Sequence, residues 1–245
     1  MSALRIHWLQ NSDPPDAFPP VGQALAEPNG LLAAGGDLSP DRILSAYRAG
    51  IFPWFEPGQP ILWWSPDPRC VLRPERFHVA ISLRRSARSA GFELTFNSAF
   101  REVIDACAQR RSGQHGTWIT EDMKSAYLGL HTSGWVHSVE VWRGNSLAGG
   151  IYGLACGKVF FGESMFSRVS DASKIAMMAL CHVIARQSFV LLDCQVTSPH
   201  LITLGAELLP RTEFVRTLCE ANRAPDQARF WPTTRLPAAE FLPAT

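Results

Sequence analysis

The sequence predicts an α/β fold of the α+β kind: a small loop-rich N-terminal domain over residues 1–70, then a mixed-sheet domain over residues 71–245. Three observations predict it. Residues 1–70 are crowded with Pro and Gly, as in DPPDAFPP, AAGGDLSP and GIFPWFEPGQPILWWSPDPR, so turns set the path of that stretch. After residue 70 apolar residues recur at regular strand and helix spacings. FVLLDCQV (189–196) is an apolar run that ends in polar residues, as a buried strand does when a site lies at its carboxyl end.

The elements follow in order. One helix is clear in the first part, with Ser39 as cap, Pro40 in the first helical position and Gly50 as its stop. LRRSARS places Arg84, Arg85 and Arg88 together on a helix. FELTFN (92–97) reads as a strand, and 98–111 as a helix with Phe100, Val103, Ile104 and Cys107 on one face. A second helix runs from Thr120, its cap, to Gly134. VHSVEVWR (136–143), SLAGGIYGLA (146–155) and KVFFGESMF (158–166) read as an antiparallel meander, with turns at GN and CG. A long helix (171–187), the strand 189–196 and helices near 199–204 and 211–222 complete the regular part. The Pro-rich tail from residue 224 is expected to wrap the surface.

The net charge of +1 over 245 residues excludes a global basic field, so a nucleic-acid partner would need a local patch. The six cysteines have no metal-type C-x-x-C spacing, no signal-like apolar run opens the chain, and no window approaches a membrane span. A cytoplasmic setting with free thiols, no cofactor and no metal is the expectation.

This element order resembles the GNAT acetyltransferase superfamily. The resemblance implies that the fourth and fifth strands are parallel and splay apart, that an acyl donor enters the gap, and that the fourth strand carries a bulge. Gly162 is the candidate bulge, and a bulge there is expected to turn Phe160 and Glu163 to one side. Glu163 is then either a carboxylate aimed into an apolar pocket or an edge residue, solvated or paired with an Arg. Asp193 and Gln195, two apart at a strand end, are either a pair that orients an amine nucleophile or a turn cap with a structural neighbour. Superfamily members bind coenzyme A through a Gly-rich loop after the fourth strand; here that loop is SRVSDASK (167–174), without Gly, which points to another donor. Trp54, in a Pro-containing turn, and Trp118, before a helix, are either stacking platforms for a base or core. Arg84, Arg85 and Arg88 either track phosphates or form a solvated helix face.

The strings EPNGLLAAGGDLSPDRILSAYRAGIFPWF, ILWWSPDPR, GTWIT, HSVEVW, FFGESMFSR, ASK and DCQV, in order from about Glu27 to Arg211, closely resemble the leucyl/phenylalanyl-tRNA–protein transferase family. The resemblance implies transfer of Leu or Phe, and less well Met, from aminoacyl-tRNA to proteins whose N-terminal residue is Lys or Arg, marking them for N-end rule degradation. It implies that Trp54 and Trp118 hold the terminal adenosine of the tRNA. It places the aminoacyl pocket near Ile151, Phe160, Leu180 and Ile184, assigns catalysis to Asp193 and Gln195, and makes Glu163 a site carboxylate. The implied enzyme is a cytoplasmic monomer without membrane contact. Two rival readings remain: a coenzyme A-dependent N-acetyltransferase, and a non-catalytic adaptor for basic N-termini.

Overall fold

The computed structural model describes residues 6–109, 119–223 and 230–243. Strands β1 (His7–Leu9), β2 (Leu31–Gly35), β3 (Phe52–Pro53) and β4 (Leu62–Trp64) form a four-stranded sheet in the order β1-β2-β4-β3, with helix α1 (Pro40–Arg48) between β2 and β3. The stretch expected to be set by turns therefore also carries a sheet. Its strands are too short for a period of two to register in the sequence. Pro40 opens α1 as expected, but the Ser39 side chain makes no cap bond; Ser39 N–H instead donates to Asp37 Oδ1 at 2.8 Å.

The larger sheet has eight strands. Along the chain come β5 (Arg69–Leu72), α2 (Ile81–Ser89), β6 (Phe92–Phe96), α3 (Phe100–Ala108), α4 (Glu121–Thr132), β7 (Val136–Arg143), β8 (Ser146–Cys156) and β9 (Val159–Ser167). Then follow α5 (Ala172–Arg186), β10 (Leu191–Gln195), α6 (Pro199–Thr203), β11 (Glu207–Leu209), α7 (Arg211–Ala221) and β12 (Leu236–Pro237). The strand order is β11-β5-β10-β9-β8-β7-β6-β12. Strands β6 to β9 form the expected antiparallel meander, and β9 pairs with β10 in parallel. The α4 start is a side-chain cap: Thr120 Oγ1 accepts from Met123 N–H at 3.2 Å. The C-terminal tail does more than wrap the surface. It adds β12 to the sheet edge against β6 and buries Ala238 and Phe241.

Each face of the large sheet covers a core. On one face Val159, Phe161, Tyr152 and Val71 pack with α3, α4 and the small sheet, including Tyr127, Tyr47 and Trp63. On the other, Phe160, Leu192 and Ile151 pack against α5 through Ile175, Met178, Leu180 and Ile184. Alternation along β9 produces this split: successive side chains point to opposite faces.

That alternation breaks at one point. Gly162 pairs with Gly153 and Ser164 with the preceding Tyr152, so Glu163 is an extra, bulged residue. The backbone at Gly153 has no room for a side chain: a Cβ there would lie 2.1 Å from the Phe161 carbonyl oxygen and 2.4 Å from the Phe160 ring. The bulge stands where expected, but it does not bring Phe160 and Glu163 together. Phe160 faces α5, whereas Glu163 meets tyrosines of the opposite core.

Candidate active site

Strands β9 and β10 pair only through Val159–Leu191, Phe160–Leu192 and Phe161–Asp193. Beyond that the bulge turns β9 away, and β10 ends at Gln195 in the left-handed region, at φ 63°. The gap between them opens at the carboxyl end of two parallel strands, where the backbone leaves room for a ligand.

Glu163 sits in this gap, half-buried. Its Oε1 accepts from Tyr47 Oη at 2.6 Å and from Gln195 Nε2 at 2.9 Å, and its Oε2 accepts from Tyr127 Oη at 3.0 Å. Both tyrosines are fully buried and lie 2.5 Å apart, hydroxyl to hydroxyl. Tyr47 comes from α1 and Tyr127 from α4, so the carboxylate ties the small sheet's helix to the large sheet. Burial pushes the Glu163 carboxyl up to about 7, and the Asp193 charge adds to the shift, while the bonds from Tyr47, Tyr127 and Gln195 pull the other way. Neither reading of Glu163 as an edge residue holds: it is not solvent-solvated and its partners are tyrosines and an amide, not Arg.

Asp193 is fully buried. A buried carboxylate needs a partner, and Arg69 supplies a two-pronged one: Nε donates to Oδ1 at 2.9 Å and Nη2 to Oδ2 at 2.7 Å. The guanidinium lies between the rings of Phe52 and Phe214, 4.8 and 4.6 Å from their centroids, and donates from Nη1 to the Gly50 carbonyl at 3.1 Å. Asp193 Oδ1 also accepts from Gln195 N–H at 2.9 Å. The carboxylate is thus committed on both oxygens, and it fixes the backbone turn that aims Gln195 at Glu163. Asp193, Gln195 and Glu163 form one connected array on one face.

The apolar side of the gap is a cavity of about 120 Å³ whose lining includes Ile151, Glu163, Met165, Met177, Leu192 and Cys194. Of the four expected pocket residues, Ile151 lines it. Phe160, Leu180 and Ile184 are buried in the α5-side core behind it. Met177, one helical turn before Leu180, faces the cavity instead. The residues that sequence reasoning missed are Tyr47, Tyr127 and Arg69. No local spacing links any of the three to the strands they serve.

Trp54 is 45% exposed, and its backbone carbonyl accepts from Trp64 Nε1 at 2.6 Å, with the two rings 5.7 Å apart. Trp118 lies outside the described residues. Arg85 and Arg88 are exposed on α2; Arg84 is half-buried and reaches the Pro243 carbonyl. At the start of α5, Asp171 takes bonds from Ser86 Oγ and Lys174 Nζ, and Ser167 Oγ accepts from Ser173 N–H. An anion binding there would meet a carboxylate and a helix end already in use, so this is a poor pyrophosphate site.

Comparison with known proteins decides the family. Residues 71–219 match the family model described as leucyl/phenylalanyl-tRNA protein transferase, and residues 36–67 match that of its N-terminal domain. The chain belongs to the leucyl/phenylalanyl-tRNA protein transferase family. Relatives bearing that name include one from Chromohalobacter salexigens, 57% identical over 88% of this chain and 84% of its own length. Another, from Nitrosomonas europaea, is 53% identical over 90% of this chain and 92% of its own. A third, from Azoarcus sp., is 52% identical over 96% and 98%. As a leucyl/phenylalanyl-tRNA protein transferase family member the chain is an aminoacyltransferase acting on aminoacyl-tRNA and protein, and the coenzyme A and adaptor readings fall away. No helix among the described residues is long and apolar enough to cross a membrane.

Proposed function

We propose that this transferase moves Leu or Phe, and Met less well, from charged tRNA to the N-terminal Lys or Arg of acceptor proteins, as a cytoplasmic monomer without a cofactor. The observation that carries the reading is the Glu163–Gln195 bond, which sets a proton acceptor and an amide beside an apolar cavity. The cavity suits an aliphatic or aromatic side chain. The donor is already an activated ester, so holding amine and ester together supplies much of the acceleration.

The acceptor α-ammonium must lose a proton before it attacks. A terminal amine titrates near 8, and a carboxyl pushed up to about 7 is well matched to take that proton. Glu163 is therefore the proposed base. Gln195 donates to it from Nε2 and presents its carbonyl oxygen to the incoming amine. The amine nitrogen bonds to the ester carbon, the bond to the ribose oxygen breaks, and a proton passes to the leaving hydroxyl. Asp193, held by Arg69, positions Gln195 in this scheme. Trp54 and Trp118 are proposed to stack the terminal adenosine, and Arg85 and Arg88 to meet acceptor-stem phosphates. Phe160, Leu180 and Ile184 support the pocket from behind, with Ile151 in its wall.

Incubation of Leu-tRNA with peptides starting in Arg, Lys or Ala, read by mass, tests this. Leu should appear on the first two alone. Peptide binding without transfer, or equal labelling of all three, would refute it.

A further inference from the structure

Two thiols sit beside this array without a part in it. Cys70 lies on β5, fully buried, and Cys194 lies on β10 between Asp193 and Gln195, half-buried in the cavity wall. The strands are antiparallel, with Val71 opposite Asp193 and Cys70 opposite Gln195, so Cys194 bulges out beside Cys70. Both side chains point to the α5-side core. In a bulge two residues of one strand oppose one residue of its partner, here Cys194 and Gln195 opposite Cys70. Cα atoms of opposed residues, about 4.5–5.5 Å apart in a regular pair, lie near the range that a disulfide spans.

We propose that Cys70 and Cys194 are a modification site, a dithiol that a peroxide oxidises to a disulfide and that stops transfer until it is reduced. This goes beyond the function proposed above. The Cys194 hydrogen bond holds the Cys70 thiol below its ordinary range, with Thr197 adding to it and burial opposing. The same contact and burial push Cys194 up. Lowering the Cys70 thiol brings it nearer to the thiolate, the form that reacts with peroxides.

In the reaction one sulfur bonds to a peroxide oxygen and the O–O bond breaks, leaving a sulfenic acid and one water. The second sulfur then displaces that hydroxyl, which departs as the second water. Two thiols give up two electrons and two protons, and hydrogen peroxide is reduced to water. The consequence for transfer follows from position. The bulge at Cys194 sets the φ of Gln195, and drawing the Cys194 sulfur onto β5 alters the turn that aims Gln195 at Glu163.

The full chain is treated with hydrogen peroxide, quenched with an alkylating agent and digested. One portion is assayed for Leu transfer before and after dithiothreitol. The expected product is a Cys70–Cys194 cross-linked peptide pair lacking two hydrogens, with transfer lowered roughly tenfold or more and restored by the reductant. Cys70→Ala should keep reduced-state transfer and show no reversible loss; Cys70→Ser serves if the first variant fails to fold. Absence of the cross-link overturns the proposal whatever the chain transfers. So does a cross-linked chain that transfers at the full rate, or a Cys70 variant inactivated reversibly like the parent.

Discussion

Gln195 donates from Nε2 to Oε1 of Glu163 across 2.9 Å, from the last residue of β10 to the bulge of β9. The bond spans the point where the two parallel strands part. It joins a half-buried carboxylate to an amide whose backbone is held by a buried ion pair. Each prediction below perturbs one member of that assembly or a surface that serves it.

The first concerns pH. The Glu163 carboxyl is pushed up to about 7 from an ordinary 4.5. Between these values the folded chain binds more protons at Glu163 than the unfolded chain does. This contribution to stability is full below about pH 4.5 and is lost as pH rises through about 7. Glu163→Gln should flatten that part of the curve, as read by urea denaturation at several pH values. Transfer runs the other way: it should climb as Glu163 ionises, with a midpoint near 7. In Glu163→Gln that limb should vanish and kcat should fall by roughly 100-fold, the low end for a lost general base.

The second separates holding from reacting. Arg69 and Asp193 are both fully buried and bonded twice. Arg69→Met should cost about 3–5 kcal/mol, because it strands the Asp193 charge. Adding Asp193→Leu should recover much of that stability. Transfer should stay low in the double variant, because Gln195 N–H has lost its acceptor. Denaturation midpoints and single-turnover rates together check this; recovered transfer in a recovered fold would show that Asp193 does not position Gln195.

The third divides the pocket from its backing. Phe160 is 1% exposed and packs against Trp231, so Phe160→Ala should act mainly on stability, by about 3–5 kcal/mol. Met177 faces the cavity. Met177→Ala should favour Phe over Leu as donor, within the roughly 1–3 kcal/mol that a small change in an apolar pocket can discriminate. Competition between the two charged tRNAs measures the ratio.

Much of this site was legible in the sequence, and what was not has a common cause. Strands β6 to β10 follow from periods, and the place of Asp193 and Gln195 on one face of a strand end follows from their spacing. The bulge beside Gly162 is what the GNAT resemblance implies, with the Gly marking its place. The array's other members are Tyr47, Arg69 and Tyr127, separated from Glu163 by long stretches of chain. A tyrosine on an amphipathic helix reads as core, and Tyr47 is core; only packing reveals that its hydroxyl ends on Glu163. The face of Phe160 was misread because the extra residue of the bulge is Glu163 itself. The two sides of β9 keep their order up to Gly162 and change only after it. Leu180 and Met177 differ by less than a turn of α5 in position along the helix, and periodicity cannot say which one fronts the gap.

The fourth prediction concerns the donor's terminal base. Trp54 is 45% exposed while its neighbour Trp63 is fully buried. Trp54→Ala should weaken aminoacyl-tRNA binding by about 1–3 kcal/mol with little change in denaturation midpoint. A short aminoacyl-adenosine donor should suffer the same loss, since the base it stacks is still present. An unchanged Kd for both donors would remove Trp54 from the site.

The last concerns phosphates. A net charge of +1 leaves tRNA binding to local cations, and Arg85 and Arg88 stand exposed on α2. The same helix sends Ser86 to Asp171 at the start of α5, so its orientation against the large sheet is fixed. Arg85→Glu with Arg88→Glu should raise KM for full-length charged tRNA. It should also flatten the salt dependence of binding, because each lost phosphate contact removes about one unit from the slope of log K against log salt. The short aminoacyl-adenosine donor has no acceptor-stem phosphates, and its KM should hold steady. Equal damage to both donors would mean that the substitutions disturb the fold and that α2 does not meet the stem. An unchanged salt slope with full-length tRNA would place the phosphate contacts on another face.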